Sequence, residues 1–384
     1  MRTPVVIVTG QHHTDEIARV LLDRPATALV QHRFDGHVVH RSTATVQRGV
    51  IVVADAVLEL TNCCLSCTVR NDLLRHLRDL HRRPDIDRIA VRLTPWMEPE
   101  PVCAAITHSP TARDVVVAAV VTEVDSATWL PWALGEDELD DGRTAAQVVV
   151  GQVEFADVAV LTAPEPETLS VVRRLAPRAR VTVGTSRLEL ALANLEPDAR
   201  RGRIDGPHAS LLGGQPPLDP DGHVGMVEFT SRRPFHPERL HDAIDVLLDG
   251  VVRTRGRLWL ANRPDRVMWL ESAGGGLRVT HAGRWLAAMT AGEIAYVDPE
   301  RRAMADLLWD HRHGDRHTSM AVLTCGARGE DITRALAAAV LTDEEMRRHH
   351  DWPGYTDPFG EWHADPCEDS VIAAPTDRRG SAQD

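Results

Sequence analysis

The sequence predicts an α/β chain with a largely parallel sheet, followed by a smaller α+β domain. Short apolar, β-branched runs recur through the first half with helical patterns between several of them. A stretch rich in Arg, Gly and Pro, from about Asp198 to His223, interrupts that pattern. Beyond it, strand signals are mostly separated by turns, which favours an antiparallel sheet. A chain of 384 residues is long enough to bury two cores.

Val5-Val6-Ile7-Val8 reads as a buried strand and Gly10 as the turn after it. Thr14 is the expected N-cap of a helix from Asp15 to about Leu22. Ala28–Val30, Val50–Val53, Arg88–Leu93, Val115–Val121 and Val158–Leu161 supply further strands. In the second half, Val227–Phe229, Arg257–Leu260, Arg266–Leu270 and Met320–Thr324 read as strands. Pro237 opens a helix through Leu248, and Asp331–Leu341 is another. Gly274-Gly275-Gly276 is a turn. The expected division is 1–197, a linker over 198–223, a second domain over 224–346 and a polar, partly disordered tail over 347–384.

Composition narrows the function. Hydrophobic content of 43% with 26% charged residues is that of a soluble globular protein. The formal net charge of -13 gives no long-range attraction to DNA, although a local basic patch can still meet RNA. No apolar run is long enough to span a bilayer, and the N-terminus lacks the apolar core of a signal peptide, so a cytoplasmic location and no membrane partner are expected. Six Cys in this length do not make a disulfide scaffold.

Three of those Cys, at 63, 64 and 67, fall within five positions, and an apolar stripe of Leu73, Leu74, Leu77 and Leu80 follows. Thiolates at C-x-x-C spacing close on one soft metal ion, and a helix N-terminus favours the thiolate. One pair completes only half of a tetrahedral site. The same thiols could instead pack as small hydrophobes or form a reversible disulfide. Cys103 and Cys325 lie in apolar surroundings and are expected in the core. Arg253, Arg255 and Arg257 alternate, so in a strand they share a face. That face either contacts phosphate or RNA or is a solvated face beside acids, and the second reading is slightly favoured. His363 and Cys367 have ligand spacing only if helical, which Pro366 opposes. Trp352, Tyr355, Phe359 and Trp362 in the tail need burial or a partner.

The block Thr61-Asn62-Cys63-Cys64-Leu65-Ser66-Cys67-Thr68-Val69-Arg70-Asn71-Asp72-Leu73 resembles the cysteine motif of the CobW-type P-loop GTPases. Cys64, Ser66 and Cys67 fall on that family's three cysteine positions. In the same register Gly10 matches the first glycine of the Walker A loop, while Asp15, Glu16 and Ile17 stand where Gly, Lys and Thr are expected. Arg92 replaces the acidic Walker B residue and Pro95 the switch glycine. Thr162-Ala163-Pro164-Glu165 replaces the guanine-specificity motif, and Asp125 matches a family aspartate. Segments around Arg233–Leu240, Val252–Ala261, Gly283–Trp285 and Gly314–His317 resemble the family's C-terminal domain.

This resemblance implies a P-loop NTPase-like, mostly parallel sheet with helices on both faces, then a smaller α+β CobW C-terminal domain. It implies zinc as the metal at Cys64 and Cys67 with Cys63 assisting, and its fold would bring the loop holding His12 and His13 near enough for one of them to complete the ligand set. GTP with magnesium is not expected, because phosphoryl transfer depends on placed cations that these residues do not supply. No base–nucleophile pair stands out, and no catalytic residue is assigned. The combination of altered P-loop and retained C-terminal domain resembles an actinobacterial branch of the family. That likeness implies recruitment of a hibernation-promoting protein, protein Y, to the small ribosomal subunit under zinc limitation. A zinc metallochaperone GTPase with an atypical nucleotide site is the alternative, and a thiol-based redox or zinc sensor the second.

Overall fold

The computed structural model describes residues 1–60, 65–206 and 208–360. The chain begins with β1 (Thr3–Thr9), α1 (Thr14–Asp23), β2 (Thr27–Phe34), β3 (Val39–Gln47), β4 (Val50–Leu58), α2 (Leu65–His81), β5 (Arg88–Arg92) and α3 (Pro99–His108). It continues through β6 (Val115–Val124), α4 (Trp129–Ala133), α5 (Ala145–Glu154), β7 (Val158–Leu161), α6 (Pro166–Leu175), β8 (Arg180–Val183) and α7 (Leu188–Ala193). These strands form one eight-stranded sheet in the order β4-β3-β2-β5-β1-β6-β7-β8. Every pairing from β2 to β8 is parallel. β3 and β4 add an antiparallel hairpin at one edge. Helices on both faces explain why β1 is continuously apolar from Val5 to Val8. Val5 and Ile7 pack with Leu73, Leu77, Val102 and Ile106 of α2 and α3, whereas Val6 and Val8 meet Ile17 and Leu21 of α1.

The second sheet is built from β9 (Val224–Ser231), β10 (Val251–Leu258), β11 (Arg266–Ala273), β12 (Gly276–Arg284) and β13 (Thr318–Cys325). Its order is β12-β11-β10-β13-β9 and every pairing is antiparallel. The helices here are α8 (Pro237–Asp242), α9 (Ala291–Ile294), α10 (Pro299–Leu307), α11 (Gly329–Ala339) and α12 (Asp343–Arg347). Ile332 and Leu336 of α11 close one face over Leu258, Leu270, Met320 and Val322. The helix expected over Pro237–Leu248 divides after α8, and a 3-10 turn, Ile244–Leu247, follows.

The opposite face lies against the first domain. Val149 and Val153 of α5 and Val171 and Val172 of α6 share one core with Val224, Val252, Ala273 and Leu323. Arg253 and Arg255 sit on this face. Arg253 reaches Glu154 at 3.1 Å and Glu271 at 3.0 Å, and Arg255 reaches Glu154 at 2.9 Å. The expected solvated arginine face is therefore covered: the acids are present, and so is a second domain. Burial alone would depress both guanidinium pKa values. Glu154 and Glu271 outweigh it at Arg253, which is raised, while burial prevails at Arg255, which is lowered.

The segment after α12 docks on the second domain. The Trp352 indole N–H donates to the Glu345 carbonyl at 2.9 Å, and Arg263 Nε donates to Asp357 at 2.7 Å. Tyr355 lies 4.4 Å from the His236 ring and Phe359 5.9 Å from His241. The tail through Gly360 thus has its aromatic partners within the chain. Trp362, His363 and Cys367 lie outside the described residues.

Removing one partner of a buried ion pair strands the other charge. Glu154→Ala is expected to destabilise the protein by about 3 kcal/mol in urea denaturation. Arg82→Ala, which breaks the exposed Arg82–Asp79 pair, is expected to change it by less than about 0.5 kcal/mol.

Candidate functional site

The carboxyl end of β1 is the switch point of the larger sheet, because β1 lies between β5 and β6 and its crossover leads away from β6. Loops after β1, β5 and β6 meet there. Gly10 ends β1 with φ +142°, and a Cβ on it would lie 2.6 Å from the Glu123 Cβ. Glu123, buried on β6, accepts from the backbone N–H of Gln11 at 3.1 Å and of His12 at 3.4 Å through Oε2. Its Oε1 is buried with no hydrogen-bond partner among the described residues. A carboxylate of the protein's own thus occupies the loop amides that would otherwise face an anionic ligand.

The loop is fixed on its other side as well. The Gln11 amide donates to Gln152 Oε1 of α5 at 2.9 Å and accepts from the Trp96 N–H at 3.0 Å. Gln152 in turn donates to the Met97 carbonyl at 2.9 Å. Trp96, next to Pro95, has φ +65°, a strained value for a bulky residue. Its ring lies 5.2 Å from Trp132, whose ring is also 5.3 Å from His12 in a tilted arrangement.

Asp15, Glu16 and Ile17 have separate environments. His13, not Thr14, is the N-cap of α1, and no side chain caps it. Asp15, in the first turn of α1, is paired with Arg92 of β5. Glu16 accepts from the Thr185 hydroxyl at 2.6 Å. Ile17 is only 1% exposed, packed in the core beneath β1. No lysine occurs anywhere in the sequence, so no other element can supply the missing ammonium. Asp125 accepts from the Ala127 N–H at 3.0 Å and the Thr128 hydroxyl at 3.1 Å. Burial acts against its charge, but these bonds, with His12 and His13 nearby, hold its carboxyl below the usual range.

The loop amides already hold a carboxylate, two more acids sit on the first turn of α1, and the position of the metal-binding hydroxyl is a buried hydrocarbon. Gln11, Glu123, Gln152 and Thr185 were missed by the sequence reading. The one sequence signal for them is a carboxylate, Glu123, just after the apolar run Val115–Val121.

Cys63 and Cys64 lie outside the described residues. Cys67 sits in the first turn of α2, where Arg70 donates to its Sγ at 3.6 Å. A helix N-terminus and a guanidinium both favour a thiolate. Among the described residues no three His, Cys, Asp or Glu are grouped to hold a metal ion. Cys103 and Cys325 are buried as expected, and burial pushes the Cys325 thiol up to about 11. No helix among the described residues is long and apolar enough to cross a membrane.

Residues 29–174 match the CobW/HypB/UreG nucleotide-binding domain, and residues 224–340 match the cobalamin synthesis protein cobW C-terminal domain. Gly10 to Ile17 precede the first match. A protein named zinc chaperone Rv0106, from Mycobacterium tuberculosis, is 61% identical, with 97% of each chain covered. Zinc-regulated GTPase metalloprotein activator 1 of Dictyostelium discoideum is 25% identical over 79% of this chain and 70% of its own. A crystal structure of Zn(II)-bound YjiA GTPase from E. coli aligns with TM-score 0.38 and 16% identity, covering 89% of this chain and all of that one.

Restoring the Walker residues at Asp15→Gly and Glu16→Lys together is expected to leave GTP binding weaker than about 1 mM, because Glu123 still holds the loop amides. Titration with a fluorescent GTP analogue in magnesium reads this directly. Micromolar binding by the double variant would show that phosphate displaces Glu123.

Proposed function

The chain belongs to the CobW family, and from that premise we propose that it serves zinc economy as an accessory protein without ordinary GTP turnover. The observation that carries this reading is Glu123 bonded to the loop amides in a chain that has no lysine. The zinc part draws on relatives named zinc chaperone and zinc-regulated GTPase metalloprotein activator. In this reading Cys64 and Cys67, with Cys63 assisting, hold the zinc, and the placement of Cys67 beside Arg70 at a helix start suits a thiolate ligand.

The finer proposal is that the protein recruits a hibernation-promoting protein to the small ribosomal subunit when zinc is scarce. Its support is the sequence likeness described above, in which a retained second domain accompanies an altered nucleotide site. A second reading, delivery of zinc to a client protein by a GTPase with an unorthodox nucleotide site, is favoured by the names of the same relatives.

Affinity capture of the full chain from cells grown with and without zinc separates the two. Small ribosomal subunits with a hibernation-promoting protein are expected only under limitation. Their absence, together with stoichiometric zinc that GTP releases and Cys64→Ala with Cys67→Ala abolishes, would replace the first reading by the second.

A further inference from the structure

β4 closes one edge of the larger sheet, and among the described residues nothing pairs with its outer side. Its nine residues, Val50–Leu58, contain one charge, Asp55, and no proline. The register with β3 runs without a bulge from Gln47↔Val50 to Val39↔Leu58. Val50 and Val57 are each 63% exposed, Ile51 55% and Val53 52%. Side chains alternate along a strand, so both faces of the hairpin end are apolar and open. Val46 of β3, opposite Ile51, is exposed too. Edge strands are normally protected by shortness, charge, proline or a bulge, and β4 has almost none of these.

We propose that β4 is the contact surface of a two-fold dimer, in which two copies pair edge to edge as antiparallel strands. The midpoint of β4 is Ala54, so full overlap places the axis there. That register sets Val50 opposite Leu58 and Ile51 opposite Val57. It also sets Asp55 opposite Val53, so the two Asp55 carboxylates do not face each other. At the strand ends, Glu59 of one copy falls opposite Gly49 of the other, beside Arg48 of the turn. No ion pair among the described residues involves Arg48, Asp55 or Glu59, which leaves the Arg48–Glu59 attraction to form across the axis. A register with Asp55 on the axis would instead set like charges face to face.

The same sheet shows why assembly stops at two. Its other edge, β8, has four residues, and its Arg180 is bonded to the Asn194 carbonyl at 3.0 Å. A two-fold contact uses β4 once in each copy and closes. The partner that fits this surface is therefore a second copy of this chain.

Sedimentation velocity on the full chain, with reductant and chelator present, tests the proposal. The expected result is a monomer–dimer equilibrium with a dissociation constant on the order of micromolar. Ala54 is exposed, so Ala54→Lys and Ala54→Glu are expected to keep the wild-type circular dichroism. Each sets like charges against themselves at the axis and is expected to weaken dimerisation by about tenfold or more. An equal mixture of the two is expected to regain the dimer. A monomeric wild-type chain, species larger than a dimer, an unweakened single variant, or a mixture that stays monomeric would each overturn the proposal.

Discussion

The carboxylate of Glu123 fixes the form of the switch point. It stands at the end of the most central part of the larger sheet, where β6 runs beside β1, and it takes two backbone N–H groups of the loop. Gly10 has to be glycine because that carboxylate and its Cβ occupy the space a side chain would need. With the loop held inward, Gln11 lies within reach of Gln152, and α5 is tied to the loop after β1. Two positions further along α5, Glu154 meets Arg253 and Arg255 of the second sheet. The acid at the switch point and the acid at the domain interface are thus linked through Gln11, Gln152 and α5.

The charge changes around α1 are compensated locally, which is why they can coexist with a stable fold. An acid at a helix N-terminus is favourable by itself through the macrodipole, and Asp15 also has Arg92 as its partner. Glu16 has Thr185. Ile17, placed where a hydroxyl would bind metal, gains burial in the core shared by α1 and α7. Asp15, Glu16 and Ile17 each have a structural partner. The region is a packed junction, and its amides and acids are committed to the protein itself.

Much of this was legible in the sequence. Val5–Val8, the Gly10 turn and the alternation of strands with helices follow from periodicity, and the second sheet from its turn-separated strands. The hairpin of β3 and β4 was not expected as an exposed edge. Its apolar run looks the same whether buried or open, and the Arg48-Gly49 turn lacks the usual Asn-Gly signal. The arginines of β10 were correctly grouped on one face by alternation. Periodicity cannot say what covers a face, and Glu154, nearly a hundred residues earlier in the sequence, is not visible from it. Asp125 was singled out by resemblance, while Glu123, two positions away, holds the loop. Cys63 and Cys64 lie outside the described residues, so the cysteine motif stays a reading of sequence.

The three glycines at 274–276 show how a correct local reading can hide a global reason. They were expected to make a turn; Gly274 and Gly275 lie between β11 and β12, and Gly276 opens β12. Gly274 has φ +50°, which the turn alone would explain. But a Cβ on Gly274 would come within 2.3 Å of the Gly135 carbonyl, and one on Gly276 within 2.7 Å of the Thr144 hydroxyl. The Gly275 N–H donates to the Gly135 carbonyl at 3.1 Å. Gly135 and Thr144 belong to the first domain, on either side of the loop that caps α5. The glycines are therefore small so that the second sheet can approach the start of α5, just as Glu154 fastens its end. With both ends of α5 held by the second sheet and Gln152 bonded to the Gln11 side chain, the loop after β1 and the domain interface are joined through one helix.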